Sequence, residues 1–242
     1  MNNVIISALT VKRLISDIKE ISKNPLSKDG IYYNHDEANM LLGYALILGQ
    51  EDTPYAFGNF LFKFDFPSDY PHSPPTVTYY TNDGHTRFNP NLYKNGKVCI
   101  SILNTWKGEQ WTGCQTIRTI LLSLCSLLNK KPLINEPGIT ETHGDIESYN
   151  KIIKYKTLDT AINKILSKEI LPKEFEIFYD TIVENFKKNY DKIIDATENI
   201  NNEIISTRTY NMTIKTHYKR LNAALKGHNS GGDPKSTLDT IA

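Results

Sequence analysis

"NFLFKFDFPSDYPHSPP", Asn59 to Pro75, is the stretch on which the fold turns. Its first half places Phe60, Phe62, Phe64 and Phe66 at every second position, so all four rings share one face of a strand. Its second half holds Pro67, Pro71, Pro74 and Pro75. Proline lacks the N–H that a central ladder needs, so the strand must end there in a rigid turn. Working outward, Gly30 to Tyr33, Met40 to Leu48 and Thr76 to Tyr80 read as further strands between turn residues. Strands this close in sequence join as hairpins, which predicts a four-stranded antiparallel meander. Ahead of it, Val11, Leu14, Ile15, Ile18 and Ile21 recur at helical spacing until Pro25 stops the pattern. The other face of that helix carries Lys12, Arg13, Lys19 and Lys23, which a plain solvated surface explains as well as a docking face does.

Beyond the meander, Ile117, Ile120, Leu121, Leu124, Leu127 and Leu128 define an apolar helix that ends near "NKKP". Its longest apolar run, "ILLSLCSLL", is too short to span a bilayer. "NEPG" (135–138) is a turn. A helical pattern follows over Ile152, Ile153, Leu158, Ile162, Ile165 and Leu166, and after Pro172 a second one runs from Phe175 to Ile193. A shorter segment, Tyr218 to Leu225, also reads as helical, and "GHNSGGDPKST" reads as disordered. The expected fold class is therefore α+β, with a core over 1–150, a helical extension over 151–228 and a loose tail over 229–242. The helix-spaced aromatics of the extension predict packing rather than a ligand site.

A net charge of +1 over 242 residues calls for neither a nucleic-acid nor a membrane partner. No basic, apolar leader opens the chain. Three cysteines without a CxxC pair form neither a disulfide framework nor a zinc site. With no leader and no disulfide framework, the expected compartment is the cytoplasm, with the thiols reduced, and the nucleus is also open. Cys125 lies inside the apolar helix and reads as a small buried hydrophobe. Cys114 follows Gly113 at a helix start and reads as incidental. Cys99, in "NPNLYKNGKVCISIL" (89–103), stands in a different setting.

Taken together, "FPSDYPHSPP", "FNPN", "GKVCISIL", Trp106, Trp111 and "NEPG" closely resemble the ubiquitin-conjugating enzymes. The order is the family's: helix, meander, Pro-rich turn, an HPN-type loop, a cysteine eight residues after its Asn, a Trp and a buried helix. "RFNPNLYKNGKVCISILNTW" and "HGDIESYNKIIKYKTLDTAI" look most like the Z-type member and its large relatives. The resemblance implies the conjugating-enzyme fold over roughly the first 150 residues. It also implies that Cys99 accepts ubiquitin or a ubiquitin-like modifier from an activating enzyme as a thioester and passes it to a substrate lysine.

That chemistry explains why no histidine stands beside Cys99. A thiolate is a good leaving group and an amine a good nucleophile, so no strong base need touch the sulfur. A cysteine hydrolase would need a poised imidazole, and neither His72 nor His85 sits where the family uses one. By the same resemblance Asn91 is the candidate oxyanion donor or loop brace, and Glu136 would position the acceptor lysine. Asn89 replaces the family's loop-bracing His, and Ser101 stands where many relatives have Asp. Lys12 and Arg13 would dock the activating enzyme. His72 and Thr112 occupy the positions that meet ring-type ligases, where a polar His and a missing Pro should weaken a small interface. No bound cofactor or metal is implied, since ATP is consumed by the activating enzyme. A non-catalytic binding module with the same fold is the rival expectation.

Overall fold

The computed structural model describes residues 6–229. Helix α1 (Ala8–Lys23) opens the fold, its first turn capped by Ser7, whose Oγ accepts from the Thr10 N–H at 3.0 Å. Strands β1 (Ile31–His35), β2 (Leu42–Leu48), β3 (Asn59–Asp65) and β4 (Thr76–Tyr79) then form one antiparallel sheet in chain order. The register pairs Ile31 with Ile47, Ala45 with Phe62 and Phe64 with Val77. Helix α2 (Ile117–Leu127) follows, closed at its start by a reciprocal Thr116–Thr119 capping box.

The strand period sorts the sheet into two faces. Phe60, Phe62, Phe64, Ala45 and Ile47 face the principal core, where Leu14 and Ile21 of α1 and Ile117, Ile120, Leu121 and Leu124 of α2 cover them. Tyr44, Leu46 and Leu61 face the opposite way and are covered by the C-terminal part of the chain: Leu158, Ile162, Phe175, Ile182, Phe186 and Leu221. The molecule is thus an α+β fold with helices on both faces of the meander.

The expected boundary near 150 falls inside α3 (Ile146–Lys156). Tyr149, Ile152 and Ile153 of that helix are fully buried in the principal core, so the chain does not separate there. From α3 the chain continues as a π-helical stretch, Thr157–Lys164. Here the Asn59 side chain reaches in and donates to the Ala161 carbonyl at 2.9 Å, a side-chain insertion of the kind that distorts a helical ladder. Gly58 admits this close crossing, since a Cβ there would lie 2.6 Å from the Thr157 methyl.

The pattern expected as one helix from Phe175 to Ile193 is divided. A 3-10 segment (Lys173–Phe178) leads into α4 (Tyr179–Lys188), and α5 (Tyr190–Asp195) follows after Asn189. The Asn189 amide bonds back to the Asn185 carbonyl at 2.9 Å, the local competition by which Asn interrupts helices. The extension is also not all helical. Strands β5 (Ile204–Thr207) and β6 (Met212–Lys215) form a hairpin before α6 (Tyr218–Asn229). Ile205 and Met212 of the hairpin are buried in the principal core. The stretch from Gly227 was expected to be disordered, but Gly227, His228 and Asn229 continue α6, where the His228 ring bonds the Asn163 side chain at 2.9 Å; past Asn229 it lies outside the described residues. Among the described residues no helix is long and apolar enough to cross a membrane.

Candidate active site

Between β4 and α2 the chain carries little regular structure, so backbone groups there need side-chain partners. Asn89 supplies several of them. Fully buried, its Nδ2 donates to the Leu127 carbonyl (2.8 Å) and to the Tyr55 hydroxyl (3.0 Å), while its Oδ1 accepts from the Asn91 N–H (2.9 Å). Tyr55 in turn donates to the Phe88 carbonyl at 2.6 Å and Tyr149 to the Arg87 carbonyl at 2.7 Å. Burial pushes both phenols above their ordinary pKa, which keeps them protonated as donors.

Cys99 sits against this loop. Its N–H donates to the Asn91 carbonyl at 2.9 Å, and the Asn91 Nδ2 donates back to the Cys99 carbonyl at 2.6 Å. Asn91 is 7 % exposed and its Oδ1 is buried without a partner. The amide carries two N–H groups, so one remains beyond the one that serves this carbonyl. Thr105 fastens the other side of Cys99: its hydroxyl accepts from the Ile100 N–H at 3.0 Å and lies 3.1 Å from the Val98 carbonyl. Cys99 itself is 2 % exposed. Among the described residues no histidine hydrogen-bonds to it; His85 and His72 are both exposed. Cys114 is exposed, and Cys125 is half-buried with its thiol pushed up by burial.

Glu136 is half-buried, and its carboxylate accepts a hydrogen bond from Tyr210 at the tip of the β5–β6 hairpin. The same tip is tied down by Asp145, whose Oδ2 accepts from the Thr209 N–H and hydroxyl at 2.7 Å each. Burial works against ionisation of Asp145, yet those hydrogen bonds outweigh it and hold its pKa below the usual carboxylate value. Arg87 links the hairpin to the loop. Its Nε and Nη2 donate to the carbonyls of Asn89 (3.2 Å) and Pro90 (2.6 Å), and its guanidinium lies over the rings of Tyr93 (3.3 Å) and Tyr210 (5.0 Å).

The predicted partner-facing residues divide in two. Lys12 is exposed on α1. Arg13 is engaged internally: it ion-pairs with buried Asp17 at 2.8 Å, donates to the Gly113 carbonyl at 2.6 Å and also bonds the Gln115 carbonyl. His72 and Thr112 are both exposed and stand on neighbouring turns, since the Trp111 indole N–H donates to the Pro71 carbonyl at 2.8 Å. Ser101 is half-buried beneath the Trp106–Gln110 loop, where a Cβ on Gly108 would lie 3.0 Å from its own. Trp106 is half-buried and Trp111 buried. Among the described residues no cluster of His, Cys, Asp or Glu could hold a metal ion.

Sequence reasoning did not find Arg87, Thr105, Asp145, Thr209 or Tyr210. The β-branched residues of "IIST" and "MTIK" around a polar turn were the available sign of the hairpin. Nothing local marks which acid or cation its tip would meet.

Comparison with known proteins shows the family of the chain. The family model for the ubiquitin-conjugating enzyme matches residues 13–157. The ubiquitin-conjugating enzyme E2 Z of Xenopus tropicalis is 41% identical over 182 residues, covering 70% of this chain and 58% of that protein. The human E2 Z is 41% identical over 180 residues, covering 69% and 50%. The human dual E2 ubiquitin-conjugating enzyme/E3 ubiquitin-protein ligase BIRC6 is 44% identical over 146 residues, which is 57% of this chain and 3% of that protein. The chain spans about half the length of the E2 Z relatives it matches. On the matched span and the meander with its packed helices, the chain belongs to the ubiquitin-conjugating enzyme family.

Proposed function

We propose that this chain is an active conjugating enzyme in which Cys99 carries ubiquitin or a ubiquitin-like modifier as a thioester. The thiolate of Cys99 attacks the modifier's C-terminal thioester on the activating enzyme, and the activating enzyme's cysteine leaves as a thiolate. A lysine amine then attacks the new thioester, the amine proton is lost, and the Cys99 thiolate leaves. The observation that carries this reading is the reciprocal pair of bonds between Cys99 and Asn91, which sets an amide donor beside the carbonyl of the cysteine. A preorganised donor of that type stabilises a tetrahedral oxyanion without reorganising at the moment of reaction. Glu136 is the acceptor-side carboxylate in this account, and the face around Lys12 meets the activating enzyme.

One observation favours a second reading, a non-catalytic module with the same fold: Cys99 is almost fully buried. A single experiment decides between them. The protein is incubated with activating enzymes, ATP and a panel of modifiers, and analysed by intact mass. An adduct that thiol reductant removes supports the enzyme. No adduct in any pairing supports the module.

A further inference from the structure

Glu136 sits half-buried on the loop after α2, and among the described residues its Oε1 takes part in no hydrogen bond or ion pair. Its Oε2 accepts from Tyr210, a residue 74 positions later and outside the span matched by the family model. Tyr210 is held in place from several directions. Its ring lies under the Arg87 guanidinium (5.0 Å) and against Tyr149 (centroids 6.2 Å). Thr209 on one side is pinned to Asp145, and Met212 on the other is buried and accepts from the Arg87 N–H at 3.3 Å. The Tyr210 backbone is left-handed (φ 63°), as is that of Asn211 (φ 49°). A tyrosine adopts that conformation only where its surroundings compensate. Here the strained tip aims one hydroxyl at one carboxylate.

A free glutamate samples many rotamers, and fixing it costs entropy at the moment it is used. A hydroxyl bound to one oxygen meets that cost in advance and leaves the other oxygen open to an ammonium donor. The phenol stays a donor, because burial and the adjoining carboxylate both raise its pKa. We infer that Tyr210 is a positioning residue for Glu136: the β5–β6 hairpin orients the acceptor-side carboxylate for the incoming lysine, so the C-terminal extension takes part in the transfer step. This rests on the function proposed above and adds to it a residue that acts through another.

The test uses the full chain. Cys99 is preloaded, ATP is removed, and discharge is followed over a range of free lysine for the parent, Tyr210→Phe, Glu136→Ala and the double variant. Tyr210→Phe keeps the ring and loses only the hydroxyl. It should load like the parent and hydrolyse its thioester like the parent, while discharge to lysine slows about fivefold, the scale of one lost hydrogen bond. In the Glu136→Ala background the same substitution should change nothing further. Lysine discharge equal to the parent would overturn the inference. So would an equal loss in the Glu136→Ala background, or a parallel fall in loading and hydrolysis. A parent that forms no thioester at all would instead remove the proposed function and this inference with it; once the parent loads, every outcome bears on Tyr210 alone.

Discussion

Replacing Asn91 with Ala removes two things that the structure allows to be weighed separately. The first is the resting bond from Nδ2 to the Cys99 carbonyl, 2.6 Å long in a side chain only 7 % exposed. Leaving a buried acceptor unpaired costs about 1–3 kcal/mol of stability. In a chain of this size each kcal/mol lowers Tm by roughly 2–4 °C. The second is the remaining amide donor, worth about 3 kcal/mol, or roughly a hundredfold in rate, if it meets the oxyanion. Loading takes place against the activating enzyme, which brings its own groups to the reaction, so the kinetic loss should fall mainly on discharge. The assay is single-turnover discharge of the loaded variant to free lysine, run well below its Tm, beside a loading time course and a thermal melt. The expected pattern is a lowered Tm, near-normal loading and discharge slowed about a hundredfold. Discharge within twofold of the parent in the folded variant would refute the donor role. Loading, discharge and Tm falling in step would leave Asn91 as a brace alone.

Four further outcomes follow from other contacts. Lys12→Glu should slow loading with no change in Tm, and the penalty should shrink at high salt; Arg13→Glu should cost about 3 kcal/mol in thermal or urea melts, because it replaces the cation paired with an Asp17 only 4 % exposed by a like charge. Asp83 accepts from the Thr86 and His85 N–H groups and pairs with Lys156 at 2.9 Å; burial opposes its ionisation, but these contacts prevail and lower its pKa to about 2. A depressed carboxylate contributes stability that is complete above its unfolded pKa near 4 and is lost as pH falls toward 2, so Asp83 should account for about 2 kcal/mol of the parent's loss over that window, and Lys156→Ala should lose less there in acid titrations followed by circular dichroism. A chain ending at Leu171 should aggregate or bind a hydrophobic dye, since it loses Phe175, Ile182, Phe186, Ile193 and Leu221, the cover over Tyr44, Leu46 and Leu61; a monomeric, cooperatively melting product would contradict that reading of the second core.

The meander was legible because each of its strands carries its own period: the alternating Phe60 to Phe66 are all buried on one face, and the prolines after Phe66 do close the strand. Helices α1 and α2 were legible for the same reason. What the sequence concealed lies in long-range contacts. Arg13 looked like one more cation on a basic face, and its acceptor at Gly113 is 100 residues away. Short strands β5 and β6 offer four residues each, too few for a period to stand out. The Asn189 interruption required knowing that its amide would turn back on Asn185. Asn89, Asn91, Cys99 and Glu136 were singled out by the family resemblance, whereas nothing in the sequence announced the hairpin that reaches Glu136.

A modifier carried on the Cys99 sulfur should respond to replacement of that sulfur with oxygen. Cys99→Ser is incubated with activating enzyme, ATP and the modifier that loads the parent, then split between buffer with and without thiol reductant. An ester is far less prone to thiol exchange than a thioester, so the adduct on the Cys99→Ser variant should survive reductant, where the parent's adduct is removed. Cys99→Ala should give none. A Cys99→Ala protein that still carried a reductant-sensitive adduct would contradict the claim and move the chemistry to Cys114 or Cys125.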